Sequence, residues 1–329
     1  MDHCARLSEG PALKPSVSLR DPRFVCLVLA LLSVATALFH PTLELSRPVY
    51  DHIVIVDITR SMNVADYRIK GRPTSRLETV KSALRSALRD LPCGSRLGLG
   101  LFTERKSFLL FEPIEVCSGF EVVDTAIEQI DWRMAWGADS RIAEGLYDAL
   151  TQFQSYGVNL IFITDGHEAP PLNPRYKRDF SALNKGKLKG LLIGTGGLSL
   201  APIPKFNERG EVVGFYSEDD VPHRSTFGLP PKPPSEIPGY HERNAPFGSE
   251  QVIGTEHLSS LKEDYLRQLA DESGLVYRRL ETAEELSADL TGPEFARFET
   301  VPADMRWLPA GLALAALMVL YGVLPFRLR

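Results

Sequence analysis

The chain has 329 residues, 44% of them hydrophobic and 24% charged, which is enough for one large domain or two small ones. Its formal net charge of -5, with no basic stripe interleaved with aromatics, excludes a nucleic-acid-binding class.

The first feature in chain order is "FVCLVLALLSVATALF", Phe24 to Phe39, which carries no charge. At about 1.5 Å of rise per residue it nearly crosses a ~30 Å hydrocarbon core. It reads as a transmembrane helix over 23–40. Arg20 and Arg23 precede it and keep a tail, 1–22, in the cytoplasm by the positive-inside rule. A cleaved signal peptide is the alternative, since Ala35, Thr36 and Ala37 form an A-x-A site, although the region ahead of the apolar run is long for one. Both readings export the residues from 41 onward. A linker at 41–49 leads to a domain at 50–290.

Within that domain a strand at His52 to Val56 runs into Asp57, Thr59 and Ser61. "SRLETVKSALRSALRDL" places Leu77, Val80, Leu84, Leu88 and Leu91 on one helical stripe, with Ser75 and Glu78 as a capping box. "RLGLGLF" and "SFLLFEPIEV" read as strands joined by "TERK", and 120–130 and 142–153 as helices. "NLIFITDG" is a continuous apolar run of the kind a parallel sheet buries on both faces, and "GKLKGLLIGTGG" is a further buried strand. A hairpin with its turn at Glu208 to Gly210 comes next, then a long proline-rich loop over 221–250. A helix stopped by Gly274, the strand "LVYRRL" and the short helix "TAEELSADL" complete the domain. Strands alternating with helices predict an α/β, doubly wound, mainly parallel sheet, Rossmann-like in layout.

A linker at 291–306 precedes "WLPAGLALAALMVLYGVLPF", a second transmembrane helix over 307–326. Arg327 and Arg329 after it put the C-terminus inside. The domain is thus placed in the periplasm, tethered to the inner (cytoplasmic) membrane, if the source is a Gram-negative bacterium. Cys4 and Cys26 fall in the tail and first span, so Cys93 and Cys117 are the only exported cysteines. An oxidising compartment lets them close a disulfide worth roughly 3 kcal/mol by loop entropy. The alternative is two unrelated buried thiols.

The functional crevice of such a fold lies at the carboxyl ends of the strands. Three loops there offer oxygens: Asp57, Thr59 and Ser61; Ser140, just ahead of a helix; and Asp165, leaving a strand. Carboxylates and hydroxyls without clustered Cys or His suit Mg²⁺, Mn²⁺ or Ca²⁺. "GTGG" lacks the Lys-Ser/Thr of a phosphate loop, and His223, His241 and His257 fit no common zinc spacing. His167 and Glu168 beside Asp165, and Trp136 just before Ser140, rim the site as candidate partner contacts.

This set, D-x-T-x-S, a hydroxyl five residues before "GL" and a later "DG", resembles the metal-ion-dependent adhesion site of the von Willebrand factor type A (vWA) family. Asp57, Thr59 and Ser61 match its first loop, Ser140 its second and Asp165 its third. Thr59 replaces the usual Ser and Ser140 the usual Thr; both keep the hydroxyl. "APIP" before a hairpin and "YLRQLADESGLVYRRL" resemble the membrane-anchored Bat type, associated with MoxR-type ATPases. "DITRSMNVADY", "LPCGSRLGLGLF", "FEPIEVC" and "DWRMAWGADSRI" look closer still to the MxaL type, encoded with methanol dehydrogenase maturation factors.

The resemblance implies a binding module, not an enzyme. A metal with an open coordination position would take an Asp or Glu carboxylate from a protein partner, and other vWA membrane proteins of MoxR clusters are further partners. The role implied is assembly or maturation of an exported protein, methanol dehydrogenase and its Ca²⁺ in the narrowest form. A metal-independent scaffold of a membrane complex is the rival. A metal-dependent hydrolase is disfavoured, because Asp-nucleophile phosphatases need a second Asp where Thr59 stands.

Overall fold

The computed structural model describes residues 21–183, 188–226, 228–249 and 254–324. Most of the expected cytoplasmic tail, Cys4, residues 325–326 of the second expected span, and Arg327 and Arg329 lie outside them. In chain order the elements are α1 (Pro22–Leu38), β1 (Thr42–Asp57), β2 (Tyr67–Ile69), β3 (Arg72–Thr74), α2 (Arg76–Asp90), β4 (Arg96–Thr103) and β5 (Lys106–Glu115). Then come α3 (Phe120–Gln129), α4 (Ile142–Phe153), β6 (Asn159–Thr164), β7 (Gly190–Gly194), β8 (Ala201–Pro202), β9 (Pro204–Phe206) and β10 (Val212–Phe215). The last are β11 (Leu258–Ser259), α5 (Glu263–Ser273), β12 (Val276–Arg279), α6 (Ala283–Leu290), β13 (Ala296–Asp304) and α7 (Trp307–Met318). The chain divides into two compact units, Pro48–Glu299 and a smaller one built from residues up to Arg47 and from Thr300 onward.

In the larger unit the strand order is β12-β7-β6-β1-β4-β5, parallel throughout except for β5 at the edge, and β13 pairs with β1. This is the expected α/β, mainly parallel sheet. Side chains alternate across it, so one strand feeds two cores. Val54 and Val56 pack with Leu84 and Leu88 of α2, Ile127 of α3 and Leu286 of α6. Ile53 and Ile55 pack with Leu146 and Phe153 of α4 and Leu266 and Leu269 of α5. Helix α4 comes so close to the sheet that a Cβ on Gly145 would meet Phe102 Cε2 at 2.1 Å, which leaves room for glycine alone.

Helix α2 begins as expected, with Ser75 Oγ accepting from Glu78 N (3.2 Å). The Glu78 carboxylate turns instead to Lys81 Nζ (2.6 Å), so the box has one arm. Cys93 and Cys117 form a disulfide, their Cα atoms 5.3 Å apart, tying the entry of β4 to the exit of β5. The stretches expected as linkers carry strand: 41–49 holds the first part of β1, and 291–306 holds nine-residue β13. Neither alternates cleanly in polarity, and their ladder partners are some 250 residues apart in sequence, so no local signal marks them.

In the smaller unit α1 and α7 pack through Ala30, Ala313 and Ala316. Among the described residues no helix is long and apolar enough to cross a membrane, so α1 and α7 do not support the spans expected at 23–40 and 307–326. Helix α1 stops after 17 residues, about 26 Å of rise. Helix α7 keeps α-helical bonding for 12 residues and then passes into a π-helix, Val319–Val323.

His52, the one titratable residue inside the central strand segment, is 0% exposed. Its Nε2 lies 2.8 Å from Leu290 O, and a carbonyl only accepts, so Nε2 carries the proton. Burial drives its pKa down to about 4, against the opposing pull of that carbonyl and of Asp51. Below 6.5 the unfolded chain takes up a proton that the folded one refuses, so stability falls as pH drops from 6.5 to about 4. This effect is worth on the order of 3 kcal/mol. Urea denaturation at pH 7, 5.5 and 4 should show His52→Gln with a shallower acid loss over that window than wild type.

Candidate functional site

Strand β1 delivers Asp57, fully buried, to the carboxyl edge of the sheet. Its Oδ1 accepts from Thr59 N (2.8 Å) and its Oδ2 from Thr164 Oγ1 (2.6 Å). The chain then closes a 3₁₀ turn, Arg60–Asn63, which brings Thr59 Oγ1 within 3.4 Å of Ser61 Oγ. Strand β6 presents Asp165 alongside. Gly166 turns the chain there at φ +77, a conformation that disfavours a side chain, and His167 N bonds back to Asp165 Oδ1 (2.9 Å).

Ser140 is held by its backbone. Its N donates to Ala169 O (2.7 Å), its O accepts from Ala169 N (2.9 Å), and the next residue, Arg141, donates to Glu104 O (2.6 Å). The second and third loops are thereby stitched to each other and to the end of β4. Ser140 Oγ is buried and has no partner among the described residues. A buried hydroxyl without a partner is chemically suited to ligating a hard cation.

Sequence reasoning missed Arg76. This first residue of α2 is fully buried, and its Nη1 contacts Asp165 Oδ2 (2.5 Å) and Ser259 Oγ (2.7 Å). Its Nη2 and Nε both reach Asp66 Oδ2, at 2.7 and 3.0 Å. A local signal did exist: a cation in the first turn of a helix opposes the helix dipole and needs another reason to be there. Burial is the largest influence on the Asp165 pKa and raises it, but the charges of Arg76 and His167 and the hydrogen bonds from His167 N and the Ser61 side chain together bring the net shift downward. Asp57 has no cation of its own, and burial followed by the Asp165 charge raises it. Two carboxylates, Asp66 and Asp165, thus share one guanidinium, and Asp57 stands beside Asp165 without a cation. The donor set fits a hard divalent cation held by Asp57, Thr59, Ser61, Ser140 and Asp165.

Above the donors lies a pocket of about 120 Å³ lined by Thr59, Ser61, Ser140 and His167. Arg60, Asp139 and Pro170 also line it, and the opposite wall comes from the segment after β7: Ile203, Tyr216, Asp220, Val221, Pro222 and Glu256. Of the three expected rim residues, His167 lines this pocket. Trp136 instead packs on Phe108, ring centroids 5.1 Å apart, and donates to Glu104 Oε2 (3.1 Å). Glu168 accepts from Ala143 N (3.0 Å) and Tyr265 Oη (2.6 Å), which caps α4 from outside its own chain segment. The wall residues from 203–256 carry no local motif, because long-range packing alone places them.

Replacing Arg76 by Met should strand Asp165 and Asp66 as buried, unpaired charges. Chemical denaturation without divalent cations should show a loss of about 3–5 kcal/mol. Added Mg²⁺ should recover more stability in this variant than in wild type, because the competing charge is gone.

Residues 52–167 match the family model described as von Willebrand factor type A domain. No curated protein matches the chain. Among solved structures the chain is similar to an aerotolerance-related membrane protein from Bacteroides fragilis, at 16% identity and a TM-score of 0.46, over 73% of this chain and 96% of that one. It is similar to a von Willebrand factor type A protein from Catenulispora acidiphila, at 12% identity and a TM-score of 0.41, over 83% of this chain and 44% of that one. It is also similar to the manganese-loaded TRAP protein of Plasmodium vivax, at 11% identity and a TM-score of 0.39, over 80% and 82% of the two chains. The match to a von Willebrand factor type A domain thus runs from the strand that ends in Asp57 to the loop that holds Asp165.

Proposed function

We propose that this chain is a metal-dependent protein-binding module and not an enzyme. Domains of this type mediate protein–protein interactions and often bind a divalent metal. The observation that carries the reading is the buried, unpartnered Ser140 Oγ, which shares a pocket with Thr59 and Ser61 at the edge where Asp57 and Asp165 end their strands. A divalent cation there supplies a strong local charge for a carboxylate of a partner to complete. Asp57 and Asp165 would hold it, Thr59, Ser61 and Ser140 would orient it, and Arg76 would fix Asp165 in place. One observation favours the rival, metal-independent scaffold: Arg76 already satisfies Asp165 with a permanent charge.

The narrower proposal is an accessory factor in maturation of an exported protein, with methanol dehydrogenase and its Ca²⁺ the specific case. It is supported by the phrases "DITRSMNVADY" and "DWRMAWGADSRI". Loss of the gene from a methanol-oxidising host should then leave methanol dehydrogenase depleted in Ca²⁺, by metal analysis of the purified enzyme.

We also propose that the smaller unit tethers the chain to a membrane, with the larger unit in the periplasm. Leu31 is 69% exposed, Leu32 59%, Leu312 58% and Leu314 59%, an apolar surface that water does not favour. Small residues at the α1–α7 contact are the kind that let helices approach closely in lipid. The full chain should stay with the membrane pellet through alkaline carbonate washing and leave it in detergent.

Calorimetry of the full chain with Mg²⁺, Mn²⁺ and Ca²⁺ tests the central reading. Binding is expected for wild type and should be abolished by Asp57→Ala and by Asp165→Ala. Wild-type protein that gives no heat with any of the three ions sinks it in favour of the scaffold.

A further inference from the structure

The segment after β7 leaves the sheet, forms the β9–β10 hairpin and returns through β11 to α5, and on the way it walls the pocket above the metal donors. Two attachments fix it there. On the return side, Ser259 Oγ donates to Asp165 Oδ2 (3.1 Å) and Lys262 N to Asp165 O (2.9 Å). On the outgoing side, Arg60, placed between Thr59 and Ser61, donates to Tyr216 Oη (2.5 Å), with its guanidinium 5.4 Å from the ring centroid. Both attachments land on the loops that carry the donors, which ties the wall to them.

Three carboxylates line this pocket: Asp139, Asp220 and Glu256. Asp220 is taken, by Lys205 Nζ at 2.5 Å and by Ser217 N and Oγ at 2.7 and 2.6 Å. Asp139 also opens onto the neighbouring pocket of Arg105, Arg141 and Arg178. Glu256 is different. Its side chain is 23% exposed, no hydrogen bond to it is found among the described residues, and burial raises its pKa. Its Oε2 stands 3.6 Å from Nε2 of His167. Among the described residues neither ring nitrogen of His167 has a hydrogen-bond partner, although the side chain is only 4% exposed. A carboxylate and an imidazole 3.6 Å apart, neither with a hydrogen bond among the described residues, therefore face the same small space as three of the metal donors.

We propose that Glu256 is a built-in occupant of the coordination position that a partner's carboxylate would take, so that the partner must displace the wall segment to bind. This rests on the metal-dependent reading above. The pocket would be closed to partners at rest, and the Arg60–Tyr216 contact would be the latch. His167 beside it would bias the site toward ions that accept nitrogen, Mn²⁺ over Mg²⁺.

Titration of the full chain with Mn²⁺ alone, read by calorimetry and by water-proton relaxation, tests this. Relaxation reports how many waters remain on the bound ion. Glu256→Gln should weaken Mn²⁺ at least about tenfold and raise the relaxivity of the bound ion, because water enters the vacated position. Acetate at millimolar concentration should lower relaxivity in Glu256→Gln and leave wild type unchanged. Glu256→Asp, one methylene shorter, should give the same rise in relaxivity and decides the matter if Glu256→Gln does not fold. Asp139→Asn should behave as wild type; a rise there in place of Glu256→Gln overturns the assignment. Mn²⁺ binding that Asp57→Ala abolishes but Glu256→Gln leaves at wild-type affinity and relaxivity overturns the internal-ligand inference alone. No Mn²⁺ binding by wild type overturns both readings.

Discussion

The structure of the site depends on one constraint: Asp57 and Asp165 are both fully buried at the ends of neighbouring parallel strands. Two desolvated carboxylates repel, and each would rather be neutral. The fold answers with Arg76, driven into the interior from the first turn of α2, and with a ring of donors: Thr59 N, Thr164 Oγ1, His167 N and Ser259 Oγ. Arg76 in turn holds Asp66, whose Oδ2 accepts from Gly197 N (2.8 Å) after β7. One guanidinium thus couples the loops after β1, β6 and β7. Removing it would loosen the edge of the sheet and not merely one ion pair.

Much of this was legible in the sequence where the signal was local or periodic. Strand β1 reads as buried because Ile53 to Val56 alternate between two apolar cores, which allows no polar position except His52, tied to Leu290. Helix α2 declared itself through Ser75 and its leucine stripe. The five metal-donor candidates could be named because each follows a strand or precedes a helix, and strand ends in a doubly wound sheet converge. What was not legible is long-range. Trp136 sits four residues before Ser140, yet it turns away to Phe108 because β5 offers it a ring. Glu168 adjoins the site in sequence but is consumed by α4 and Tyr265.

The segment 201–256 shows the same limit from the other side. Its proline-rich stretch reads as a loop, and among the described residues of 221–250 there is no helix or strand beyond a three-residue 3₁₀ turn, Pro234–Glu236. Nothing periodic tells where such a segment lies. Its position comes from a few specific contacts: Trp132 stacked on Phe206 at 4.8 Å, Tyr216 on Arg60, and Ser259 on Asp165. Each joins residues whose pairing no spacing rule predicts, yet together they decide how open the site is.

Arg76 also bears on what the proposed cation could do. With Glu256 displaced, and with the Arg76 charge assigned to Asp165 ahead of Asp66, Asp57 is the only donor that brings an uncompensated negative charge; Thr59, Ser61 and Ser140 bring dipoles. A divalent ion held this way keeps a residual positive charge of about one unit. Affinity for the ion is then modest, since each added carboxylate strengthens a hard-cation site. Attraction for one further carboxylate is correspondingly strong, because it completes both the shell and the charge. A site with more acidic ligands would bind its ion tightly and have little left to offer a partner. Weak metal binding and strong carboxylate capture are therefore two consequences of the same buried arginine.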